Sequence, residues 1–177
     1  MPNTLGYHLV KSAYGLWLPG DERGHWSTAW DEQIGYTEPH MLHPADPVRR
    51  RMAAERMAHP PVRLTPFQVE VLADTLQDCV IRSAGDLAFA ALCILPTHMH
   101  AVIPYSGRDI DCTAKWLADQ TTKRMHERTG QDGPLWCKGK WRGFIYQTEH
   151  WHSVIHYVER HNTDRGLAAR PYKFIRG

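Results

Sequence analysis

The chain has 177 residues, 42% of them hydrophobic and 23% charged, with a net charge of +2. That length suits one domain with a full core, and no apolar run reaches the roughly 20 residues of a membrane span. The opening MPNTLGYHLVKSAYG lacks the basic head and apolar body of a secretory signal, so a cytoplasmic protein is expected. Cysteines at 79, 93, 112 and 137 share no C-x-x-C spacing, which predicts free thiols in a reducing compartment.

In chain order, GYHLVKSAYGLWL predicts a first strand, closed by the turn PGDERG. Residues 21–64 carry prolines at 39, 44, 47, 60 and 61 and predict an insertion. Within it, Asp46 and Pro47 open a short basic helix, VRRRMAAERMAH, either a solvated face or a phosphate contact. A stronger helix starts at TPFQ. Thr65 caps it, Pro66 takes the first turn, Gln68 completes a capping box, and Val69, Leu72, Leu76 and Val80 form its stripe. LAFAALCILP predicts a buried strand and HMHAVIPY the next. Asp109 or Asp111 opens a helix that runs to about Arg128 and stops at Gly130. KWRGFIYQ predicts a last strand, and TEHWHSVIHYVERHN a last helix capped by Thr148. The order βαββαβ predicts an α+β fold over residues 1–177. It is a ferredoxin-like sandwich, an antiparallel sheet with helices on one face, plus a C-terminal helix.

The chemistry concentrates in two places. In a strand, residues two apart share a face, so His98 and His100 project together and Met99 goes to the other side. Two imidazoles on one rigid face suit a metal ion; surface or core histidines are the alternative. In the last helix, advancing 100° per residue puts Trp151, Val154, Ile155 and Val158 in one apolar stripe. Tyr157 and His161 fall together on one edge of that stripe, about 6 Å apart along the axis. Asn162 falls inside the stripe. Taken alone, Tyr157 also reads as an ordinary border tyrosine.

LPTHMHAVI followed by the HYVERHN helix resembles the single-tyrosine HUH transposases, which include REP-associated tyrosine transposases and small insertion-sequence transposases. The opening GYHLVKSAYGLWLPGDERG and the segment WCKGKWRGFIY resemble the REP-associated branch. The resemblance runs over most of the chain except residues 25–64. It implies that His98 and His100 form the H-hydrophobic-H motif and that Tyr157 is the nucleophile. Members of the family usually offer Asn or Gln as third ligand one turn after the tyrosine. This chain has His161 there, and the angular position favours His161 over Asn162. A three-histidine set shifts preference from Mg²⁺ toward Mn²⁺ or other transition ions, while the resemblance implies Mg²⁺ or Mn²⁺.

The implied reaction is transesterification of single-stranded DNA beside a hairpin through a 5′-phosphotyrosine, by a nucleoid-associated monomer or homodimer. Lys115, Lys123, Arg124, Lys138, Lys140 and Arg142 are candidate phosphate contacts. Trp116, Trp136 and Trp141 are candidate stacking platforms, each set against a plain surface or core role. Two other readings stay open. One is a non-catalytic relative that binds hairpin DNA or RNA; the other is a metal-dependent phosphodiesterase using water.

Overall fold

The computed structural model describes residues 3–24 and 42–176. The middle of the predicted insertion, 25–41, lies outside the described residues. Its later part forms helix α1, Pro47–Glu55, where the Asp46 side chain accepts from Arg49 N–H at 3.0 Å. No residue of α1 is buried, as its run of arginines requires. Helix α2, Pro66–Arg82, begins with the predicted capping box: Gln68 N–H donates to Thr65 Oγ1, and Thr65 N–H donates to Gln68 Oε1. Helix α3, Ile110–Thr129, is capped by Asp109 and ends at Gly130, whose φ of 67° is the left-handed turn glycine supplies most cheaply.

Four strands, β1 Gly6–Ser12, β2 Ala91–Ile94, β3 His98–Pro104 and β4 Trp141–Ile145, form one antiparallel sheet in the order β2-β3-β1-β4. This is the ferredoxin-like order. Strand alternation sorts the residues onto two faces. Tyr7, Leu9, Met99, Ala101 and Ile103 join the core shared with α2 and α3, around Leu72, Leu76 and Leu117. Each such leucine, fully removed from water, contributes about 1.5–3 kcal/mol. Val102 joins a second, smaller core with Ile145 and with Val154, Ile155 and Val158 of helix α4, Thr148–Thr163. The sheet therefore separates α2 and α3 from α4.

Three boundaries differ from the sequence reading. The first strand stops at Ser12, with only an isolated bridge from Ala13 to Trp136, and Gly15 at φ 74° then turns the chain. The second strand loses its predicted first half: Phe89 is buried but bridges Ile175 near the C-terminus. Thr148 is the first helical residue; Gln147 occupies the cap position and makes no side-chain cap bond.

Candidate active site

The sheet face beneath α4 carries the site. β3 delivers His98 and His100. β1 delivers His8, which pairs with Val102 and so lies diagonally beside His100. Helix α4 crosses this face, placing Tyr157 and His161 over it. The His100 ring centre lies 4.8 Å from His98, 4.9 Å from His161, 5.2 Å from His8 and 5.6 Å from Tyr157. Tyr157 and His161 are 4.7 Å apart, at 82°. Four imidazoles and one phenol, contributed by two strands and a helix, thus share one contiguous cluster.

Helix α4 is held on the sheet by Asn162. Its Nδ2 donates to Leu92 O at 3.0 Å and to Ala169 O at 2.9 Å. The Asn162 side chain thus binds the helix to the neighbouring backbone, while His161, one residue earlier, faces His100. At the other end, Trp151 packs against the smaller core and lies directly over Gly6, where a Cβ would collide with its ring.

Burial sets the charge state of the cluster. Together with the smaller effect of neighbouring imidazoles, it pulls His100 down to about 3 and His8 to about 4. Burial also lowers His98. Neutral imidazoles are the form that ligates a cation.

Hydrogen bonding decides which ring atoms remain available. His98 Nδ1 is 2.7 Å from Thr97 Oγ1, and His100 Nδ1 is 3.0 Å from His8 Nε2. Nε2 of His161 is buried with no hydrogen-bond partner. Such an orphaned nitrogen costs about 1–3 kcal/mol unless something fills it. Among the described residues no three His, Cys, Asp or Glu side chains are arranged so as to hold a metal ion. His161 stacks on His100 at 14°, so its ring must turn for the two lone pairs to converge. In donor chemistry alone, three imidazoles, of which His161 holds an unmet buried nitrogen, are the kind of set that a divalent transition ion takes.

The site opens into a groove of about 710 Å³. Its far wall is the turn after β1. Trp17 Nε1 donates to Gly24 O at 2.7 Å, and the Arg23 guanidinium lies 5.0 Å from the Trp17 ring centre. Arg23 is itself forked onto Asp21, through Nε at 2.6 Å and Nη2 at 3.0 Å. Its hydrogen bonds hold the Asp21 carboxyl below the usual range. Arg63 and Trp141 complete the rim. PGDERG is therefore a turn and also a wall of the site.

Of the predicted nucleic-acid contacts, the structure brings Trp141 to the site; its ring meets His8 edge-on at 5.1 Å. Lys115, Lys123, Arg124 and Trp116 lie on α3, across the sheet. Lys115 pairs with Asp119 at 2.6 Å and Arg124 with Glu127 at 3.4 Å. Trp116 is half-buried, with Arg82 and Arg108 over its ring. Lys140 and Arg142 both engage Asp111, at 3.3 and 3.1 Å, and Lys138 lines the same α3-side groove. Trp136 is buried, and its Nε1 donates to Thr121 Oγ1 at 2.8 Å, so it is not a stacking platform. The sequence reading did not single out His8, Trp17, Arg23 or Arg63. Strand parity gives His8 a face, but nothing local tells which strand lies beside it.

No family model matches the sequence, and no curated protein matches it. Among solved structures, the chain is similar to a REP-associated tyrosine transposase bound to a REP hairpin. The identity is 13% and the TM-score 0.50, over 94% of this chain and 72% of that one. The chain shares that transposase's fold. It is also similar to a candidate transposase of Deinococcus radiodurans R1, at 16% identity and TM-score 0.46, over 89% of this chain and 91% of that one. Among the described residues no helix is long and apolar enough to cross a membrane.

Proposed function

We propose that this protein is a single-tyrosine DNA transesterase of the transposase kind, which cleaves and rejoins single-stranded DNA beside a hairpin. The observation that carries the proposal is the convergence of Tyr157, 48% exposed, with His98, His100 and His161 on one sheet face. A phenol at the mouth of a groove is placed to attack; one buried for packing is not. The similar transposase of known structure holds a REP hairpin, and a hairpin-flanked strand is the substrate proposed here.

His98, His100 and His161 would hold the cation, Mn²⁺ or Mg²⁺, which supplies Lewis-acid stabilisation of charge on the scissile phosphate. Tyr157 attacks phosphorus and gives up its phenolic proton. The P–O3′ bond breaks, leaving a 5′-phosphotyrosine and a free 3′-OH. The new ester keeps the bond energy, so a second 3′-OH reverses the step without a nucleotide cofactor. Arg63, on the groove rim, is placed to bind a flanking phosphate, and Trp17 and Trp141 to stack on unpaired bases. The turn from Leu16 to Gly24 enters the groove already braced by its own hydrogen bonds, so little order is lost on binding.

The test is incubation with labelled hairpin-bearing single-stranded DNA and Mn²⁺ or Mg²⁺, beside Tyr157→Phe. The expected result is a denaturation-resistant protein–DNA adduct with wild type alone. Hairpin binding with no adduct from either protein would support a binding module instead. Cleavage without an adduct, unchanged in Tyr157→Phe, would indicate a phosphodiesterase that uses water.

A further inference from the structure

His8 is buried at the centre of the cluster, yet neither the nucleophile nor the proposed ligand set accounts for it. Its Nε2 lies 3.0 Å from Nδ1 of His100. A bond between two imidazole nitrogens needs one hydrogen, so one ring donates and the other accepts. If His8 donates, the single hydrogen of neutral His100 sits on its Nε2, and no lone pair faces the site. If His100 donates from Nδ1, its Nε2 lone pair is free. Only the second arrangement leaves His100 able to ligate.

We propose that His8 is a positioning residue: its Nε2 accepts the Nδ1–H of His100 and fixes the tautomer and ring rotation that offer Nε2 of His100 to a metal. The inference rests on the metal reading of the site given above. Metal-ligating histidines commonly donate their second nitrogen to an acceptor that sets their orientation. Here that acceptor is a second imidazole on the adjacent strand, and Thr97 stands in the same relation to His98. The His8 ring is itself fixed from two sides, edge-on to Trp141 at 5.1 Å and to Tyr157 at 6.0 Å. The β1–β3 ladder sets its distance from His100. A carboxylate in its place would add negative charge beside the phosphate path; a neutral imidazole orients without repelling the substrate.

The experiment compares wild type, His8→Gln and His8→Phe. Mn²⁺ affinity is read from the spin-resonance signal of the free ion, and the His100 tautomer from nitrogen NMR of the metal-free proteins. Gln keeps an acceptor oxygen at similar reach; Phe keeps the ring shape and removes the acceptor. The expected result is a hydrogen on Nδ1 of His100 in wild type. His8→Phe should lose about 10–100-fold in Mn²⁺ affinity, and His8→Gln should stay near wild type. Equal Mn²⁺ affinity in all three proteins would overturn the role of His8. So would a hydrogen on Nε2 of His100 in metal-free wild type, which requires no variant to fold. Wild type that binds no Mn²⁺ would overturn the metal reading itself, a different failure from three proteins that bind it alike.

Discussion

At the scale of single residues, adjacent side chains on α4 divide the work. His161 faces the cluster, and Asn162 turns into the core to hold two backbone carbonyls. Removing that amide leaves Leu92 and Ala169 carbonyls short of a donor. Asn162→Ala should therefore cost about 1–3 kcal/mol, read as a lower thermal midpoint. The buried histidines also set a pH response. His8 and His100 have folded pKa values of about 4 and about 3, below the ordinary 6.5, because burial opposes their charge. Between 6.5 and those values the unfolded chain binds more protons than the folded one. Stability is thus fully present above 6.5 and is lost as pH falls toward 4. Thermal midpoints measured from pH 7 to 4 should fall, and His8→Gln should flatten the fall.

At the scale of elements, the site depends on how α4 lies across the sheet. Residues 148–163 form an amphipathic helix, and its apolar stripe could be read from spacing alone. Its seat could not: that depends on Gly6 of β1, whose missing Cβ admits the Trp151 ring. A methyl there meets both that ring and the Ile103 carbonyl oxygen at 2.5 Å. Gly6→Ala should displace the first turns of α4 and carry Tyr157 with it. The expected outcome is a loss of covalent-adduct yield at a temperature where circular dichroism still reports a folded protein. At the other helix, Thr65→Ala removes one half of the capping box. It should cost about 1 kcal/mol in denaturant melts and leave adduct formation intact, since α2 lies across the sheet from the site.

At the scale of the whole molecule, the sheet divides two candidate surfaces. The groove beside Tyr157 presents Arg63, Arg23 and two tryptophans, and the α3 side presents lysines of which Lys115 and Lys140 pair with Asp119 and Asp111. With a net charge of only +2, affinity for DNA rests on local geometry rather than on a global field. Arg63→Ala should lower the slope of log affinity against log salt by about 0.7, the share of one phosphate on a single strand. Trp141→Ala should cost about 1–3 kcal/mol with little change in slope, because stacking releases no counterion. A titration of labelled single-stranded DNA at several salt concentrations measures both.

The sequence by itself determined the element order and the α4 face that carries Tyr157 and His161. These are local properties: the strand period, the helix period, caps and turn residues. It also set His98 beside His100, because two residues in one strand need no partner to share a face. What only the tertiary structure decided is everything that joins residues distant along the chain. His8 meets His100 across 92 positions because β1 lies between β3 and β4 in antiparallel register. The PGDERG turn became a wall because β1 ends beside the start of β3. The predicted basic contacts fell on the far face because α3 packs opposite α4 and because Lys138, Lys140 and Arg142 turn toward α3. Strand order and register are set by how the two cores close, and no local pattern in the chain encodes that choice.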